Sequence, residues 1–136
     1  MTQEGFDLST LEDIAEAEVQ LKRDSELLPI WVTLAGPEHP KRKAFVYNKQ
    51  RRLRQQLAKH GKVEFQDPVE DEQDELELLA SCVLGWRGVL WKGQPVECTK
   101  ANVLTYLGNP KLAWFRRSVK AAFDDNEAFI AASAAN

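Results

Sequence analysis

The stretch Leu76–Phe123, LELLASCVLGWRGVLWKGQPVECTKANVLTYLGNPKLAWFRRSVKAAF, holds three of the four tryptophans and both cysteines, and the rest of the chain reads as packed around it. Leu76, Leu79, Ala80 and Val83 recur at helical spacing, which predicts a helix that ends near Gly85 and turns one apolar face to a core. Trp86 and Trp91 fall on a glycine-bracketed loop (Gly85, Gly88, Gly93) and Trp114 on the next long helix, positions where large rings lock neighbouring elements together. The same segment carries Arg87, Arg116 and Arg117. Trp and Arg are enriched at interface hot spots, so this region also reads as a partner-binding surface, with Trp86 and Trp114 mainly in the core and Trp91 and Arg87 as contact candidates.

Working outward, Asp67-Pro68-Val69-Glu70 has the marks of a helix start: an Asp cap, Pro at the first position and Glu three residues on. The helix is expected over about 67–84. Thr99 precedes a short helix over about 100–107, and Asn109-Pro110 opens another over about 110–124, whose Leu112, Phe115, Val119, Ala122 and Phe123 form a core-facing stripe. Upstream, Val19 and Leu21 alternate with polar residues, Asp24-Ser25-Glu26 breaks the pattern, and Pro29 to Leu34 resumes it with β-branched and aromatic residues. This predicts a β-hairpin over about 18–35, with Ile30, Val32 and Leu34 on one face and Trp31 and Thr33 on the other. Burial of Trp31 then needs something on the second side of the hairpin, or a partner. Gly36-Pro37-Glu38-His39-Pro40 starts a helix over about 40–60 that Gly61 stops. Its apolar stripe is thin, Phe45, Val46, Leu53 and Leu57, so the helix is expected to dock lightly. Ser9 or Thr10 would cap a short acidic helix running to Ala17. Residues 1–8 read as a loose arm and residues 130–136 as a frayed tail of one domain. The fold class is α+β, predominantly helical, with the N-terminal hairpin packed on the helices.

At 136 residues, 43% apolar and 29% charged, the composition is that of an ordinary globular protein. The N-terminus is acidic and lacks a secretory pattern, which places the expected location in a cytoplasm, where Cys82 and Cys98 would stay unpaired. No CxxC spacing, EF-hand loop or phosphate-cradling glycine run is present, and the histidines lie far in sequence from both cysteines. The expectation is therefore a protein without catalysis, metal or cofactor. The net charge of −3 hides a segregation: residues 41–59 (KRKAFVYNKQRRLRQQLAK) are basic and residues 64–77 (EFQDPVEDEQDELE) acidic. The basic helix, with Arg51, Arg52 and Arg54, would meet an acidic segment of its own or an adjacent chain, or track nucleic-acid phosphates.

The run Trp31 to Lys43 (WVTLAGPEHPKRK), the basic helix, the acidic lead into Leu79 to Gly88 (LASCVLGWRG), and Asn109 to Phe115 (NPKLAWF) together resemble the tail assembly chaperones of long-tailed bacteriophages. The landmarks cover nearly the whole chain. The resemblance implies a largely helical, self-associating protein of the infected host's cytoplasm, absent from the mature virion. It would bind the tape measure protein until tail tube subunits polymerise around it, and it could also exist in a longer frameshifted form. The candidate contact residues are Trp31, Trp91, Arg51, Arg52, Arg54 and Arg87. The alternatives are a nucleic-acid-binding phage protein using the helix 41–59 and a structural head-tail or tail component.

Overall fold

The hairpin forms where its alternation places it, as β2 (Glu16–Arg23) and β3 (Glu26–Ala35) of a computed structural model that describes residues 4–62 and 67–132. Asp24 and Ser25, the two loop residues, have φ of 50° and 71°. Positive φ at both positions gives a turn whose twist matches that of the flanking strands. Val19 pairs with Val32 and Gln20 with Trp31, and the register shifts between Gln20 and Lys22. Leu21, Val32 and Leu34 are fully buried on one face, whereas Glu18 and Trp31 stand on the other.

The helix expected over 67–84 is shorter: α2 runs Pro68–Cys82, and the chain passes without a loop into β4 (Val83–Arg87). The strand β4 pairs antiparallel with β3, Val32 opposite Trp86 and Trp31 opposite Arg87, giving the order β2-β3-β4. Trp86 is thus a strand residue and not a loop residue. An unpaired β3 would leave a row of backbone donors and acceptors without partners, and β4 supplies them at the cost of the last helical residues. Gly88 ends this strand with φ of 83°, and a Cβ there would lie 2.0 Å from the carbonyl oxygen of Pro29. Only glycine lets the two backbones come so close. The segment that follows makes a small ribbon, β5 (Leu90–Trp91) and β6 (Gln94–Pro95), turned by Lys92 and Gly93 with φ of 50° and 83°.

The helices α2 and α3 (Lys100–Leu107) start on the expected caps Asp67 and Thr99, and α1 (Pro40–His60) starts on His39, which the sequence does not mark as a cap. His39 accepts from the Lys41 amide at 3.1 Å, Asp67 from Val69 at 2.8 Å and Thr99 from Asn102 at 3.1 Å. These bonds satisfy amides that have no partner inside the helix. Asn109 caps a 3-10 turn at Pro110–Leu112, so the helix expected from 110 begins as α4 at Ala113 and ends at Asp124. The apolar stripe of α4, with Phe115, Val119 and Phe123 buried, lies against β2 and β3. Leu79, Ala80 and Cys82 of α2 and Val103 and Leu107 of α3 complete the same core.

The acidic helix expected through Ala17 does not form. Leu8–Thr10 is a single 3-10 turn capped by Asp7, and Leu11–Asp13 is β1, paired antiparallel with β7 (Ile130–Ala132). The tail expected to fray from 130 therefore holds a strand over its first three residues, and the remainder of that expectation falls outside the described residues. Phe129, buried to 1% exposure, anchors this junction: its carbonyl accepts from the Ile14 amide at 2.8 Å, and its ring edge leaves room only for glycine at Gly36.

Candidate interaction surfaces

The helix α1 carries eight cations and no carboxylate. Only its first turns touch the body. Arg42 extends its guanidinium 3.7 Å from the centre of the Phe123 ring and donates to the carbonyls of Phe123 and Ala35 at 3.2 and 3.4 Å. Burial pushes this guanidinium's pKa down from its ordinary value, and the neighbouring carbonyls and ring keep the cation satisfied. Sequence alone gave Arg42 no role apart from its neighbours, because a run of cations does not show which one will find a ring.

From Val46 to His60 every residue of α1 is exposed. At 1.5 Å per residue this leaves about 22 Å of helix clear of the core. Val46, Leu53 and Leu57 are 44%, 38% and 53% exposed. At the helical period they fall within about 40° of one another, so they form one stripe. Lys49 and Arg54 flank it, whereas Arg51 and Arg52 point to the opposite side of the helix. Arg51, Arg52 and Arg54 form no ion pair with any described residue.

Of the acidic block 64–77, whose residues 64–66 fall outside the described residues, three carboxylates take partners on other helices. Glu72 and Glu75 take Arg116 of α4 at 3.1 and 3.5 Å, and Glu77 takes Lys100 of α3 at 3.7 Å. The reason is geometric: the core face of α2 looks toward α3 and α4, so carboxylates at its margins meet cations there.

A second surface is the outer face of the three-stranded sheet. Arg87 and Trp31 stand opposite each other in register, and the Arg87 guanidinium lies 4.5 Å from the Trp31 ring centre. It also grips Glu18 through two bonds, Nε to Oε2 at 3.2 Å and Nη2 to Oε1 at 2.9 Å. The pair holds the Glu18 carboxyl below its usual range and raises the pKa of Arg87. Two residues singled out separately in the sequence are thereby one cross-strand unit.

Trp91 belongs to a third surface. It is 41% exposed on the β5–β6 ribbon, its ring 5.6 Å from that of Tyr106, beside Leu90 at 60%. Together with Ile30, Leu112 and Trp114 these rings line an apolar cleft of about 170 Å³. Trp86 and Trp114 are half-buried, each packed on Phe115, and the Trp86 indole N–H donates to the Val96 carbonyl at 2.8 Å. Tyr106 and Leu90 carried no sequence signal for this cleft, since the ribbon that presents them is two residues wide.

Groups that carry chemistry are placed structurally. His39 caps α1, and burial pushes the Cys82 thiol up to about 11 and raises that of Cys98. A cleft of about 530 Å³ is lined by Lys41, Lys100, Asn48, Ser81, Cys98, Thr99 and apolar neighbours, with no carboxylate or imidazole among its lining residues. Among the described residues no cluster of three metal-ligating side chains occurs, and no helix is long and apolar enough to cross a membrane. Comparison with protein-family models, curated proteins and solved structures finds no match to this chain.

Proposed function

We propose that this chain is a non-catalytic tail assembly chaperone of a long-tailed bacteriophage, acting in the host cytoplasm to hold the tape measure protein until tail tube subunits enclose it. The observation that carries the reading is the free part of α1, an amphipathic basic helix presented from a well-packed body with its apolar stripe uncovered. A chaperone for a long helical client needs such a surface: apolar enough to cover a client stripe, charged enough not to aggregate, and held by no core contact that docking would break. The Trp91–Tyr106 cleft offers a second apolar contact of the same kind.

The test is co-expression with the tape measure protein of the same genome. Recovery of soluble client only when this chain is present supports the reading, and equal recovery without it rejects it. The cations of α1 favour one other reading, binding of nucleic acid. Salt-sensitive retention of RNA on a filter, lost in Arg51→Glu with Arg52→Glu, would establish that reading instead. Finding the chain in purified particles would identify a structural tail component.

A further inference from the structure

The arm that precedes β1 and the free part of α1 are complementary surfaces left uncovered in the same chain. The described part of this arm, residues 4–10, carries Glu4 and Asp7 and no cation, and Glu12 and Asp13 of β1 continue the acidic run. Phe6, Leu8 and Leu11 are 67%, 81% and 48% exposed, so this acidic segment shows three large apolar side chains to solvent. The helix α1 shows the reverse charge around the Val46, Leu53 and Leu57 stripe. We propose that the N-terminal arm of one copy docks on α1 of a second copy, Phe6 and Leu8 covering the stripe while Glu4 and Asp7 face Lys49 and Arg54.

Other ways for two copies to cover α1 fit less well. Two α1 helices face to face would set like charges against each other with no carboxylate between them. The exposed start of α2 offers a single large apolar residue, Val69, and the Glu72 and Glu75 carboxylates that follow are tied to Arg116. One arm on one helix is a small contact, so the assembly that follows is reciprocal, each arm on the other copy's α1 about a two-fold axis. Surface charges supply part of the attraction, so the dimer loosens as salt screens them. The stripe is the one assigned to the client, so arm and client compete for it, and the docking of the arm stands whether or not a client binds.

Sedimentation velocity on the full chain tests it. A dimer is expected at about 100 µM protein and low salt, with at least a tenfold weaker association when salt approaches about 1 M. Phe6→Ser with Leu8→Ser should give monomer with unchanged helicity. Lys49→Glu with Arg54→Glu should do the same, and adding Glu4→Lys to that variant should restore association in part, Asp7 being kept as the cap of the Leu8–Thr10 turn. A wild-type chain that stays monomeric, a dimer untouched by the arm substitutions, failure of the charge exchange to restore association, or co-sedimenting RNA would each overturn the proposal. Client solubility is a separate readout: an arm variant that is monomeric yet keeps the tape measure soluble supports both conclusions. A wild-type dimer that leaves the client insoluble removes only the tail-assembly reading.

Discussion

Arg42 has the same residue type as Arg51 and Arg52 and a different task, because it alone of the three reaches a core ring and two carbonyls. Arg42→Ala removes the cation–π contact and both hydrogen bonds, and the expected loss is about 1–3 kcal/mol, read from the urea midpoint at unchanged slope. Arg42→Lys should recover only part of it, since one ammonium cannot span both carbonyls and stay over the ring. Cys82 is the second residue whose environment decides its chemistry. Its thiol, pushed up to about 11 by burial, stays protonated and unreactive near neutral pH. A thiol reagent should therefore leave the Cys82 peptide unmodified in the native protein and label it once denaturant is added, as read by peptide mass. The sign for stability follows: a thiol whose folded pKa is raised favours the fold below its unfolded value, and that contribution is lost as pH climbs through about 11.

Among the elements, α1 and α4 are amphipathic helices with opposite fates. The stripe of α4 is core, so Phe115→Ala should cost about 3–5 kcal/mol of stability through the cavity it leaves. The stripe of α1 is open to solvent, and Leu53→Gln with Leu57→Gln keeps helix propensity, so stability should shift by less than about 1 kcal/mol. The same double substitution should cut client retention or self-association at least tenfold in pull-down or sedimentation. Equal loss of function and of folding would mean that α1 is held by the body after all. The passage from α2 into β4 has its own physical cause. The Val83 N–H still bonds the Leu79 carbonyl, closing the helix, while the Val83 to Arg87 backbone satisfies the free edge of β3. Local pattern supports either state for Val83 and Leu84, and the pairing chooses.

For the molecule as a whole, the meeting of β1 with β7 ties the two ends of the described chain together over the buried Phe129. A truncation after Asp125 should therefore lower the melting temperature by several degrees or more, since it removes a buried ring and the partner strand of β1. Unchanged melting would show that the junction contributes nothing to the fold. Charge is also a property of this scale. Glu72, Glu75 and Glu77 of α2 are paired with cations of α3 and α4, and the eight cations of α1 make that helix a surface able to attract an anionic partner.

Local chemistry written in the residues was enough to determine the four helices to within a few positions, the hairpin with its two faces, and the caps at Asp67, Thr99 and Asn109. The bonds involved join residues close along the chain, so a short window contains both partners. Five features depended on tertiary structure: β4 and the β1–β7 pair, the joining of Trp31 to Arg87 and Glu18, the partners of the acidic turns, and the exposure of α1 beyond Phe45. Each of these rests on a partner far along the chain, or on the lack of one among the described residues. Hydrophobic periodicity reports which side of an element is apolar, and only the assembled core decides whether that side is covered.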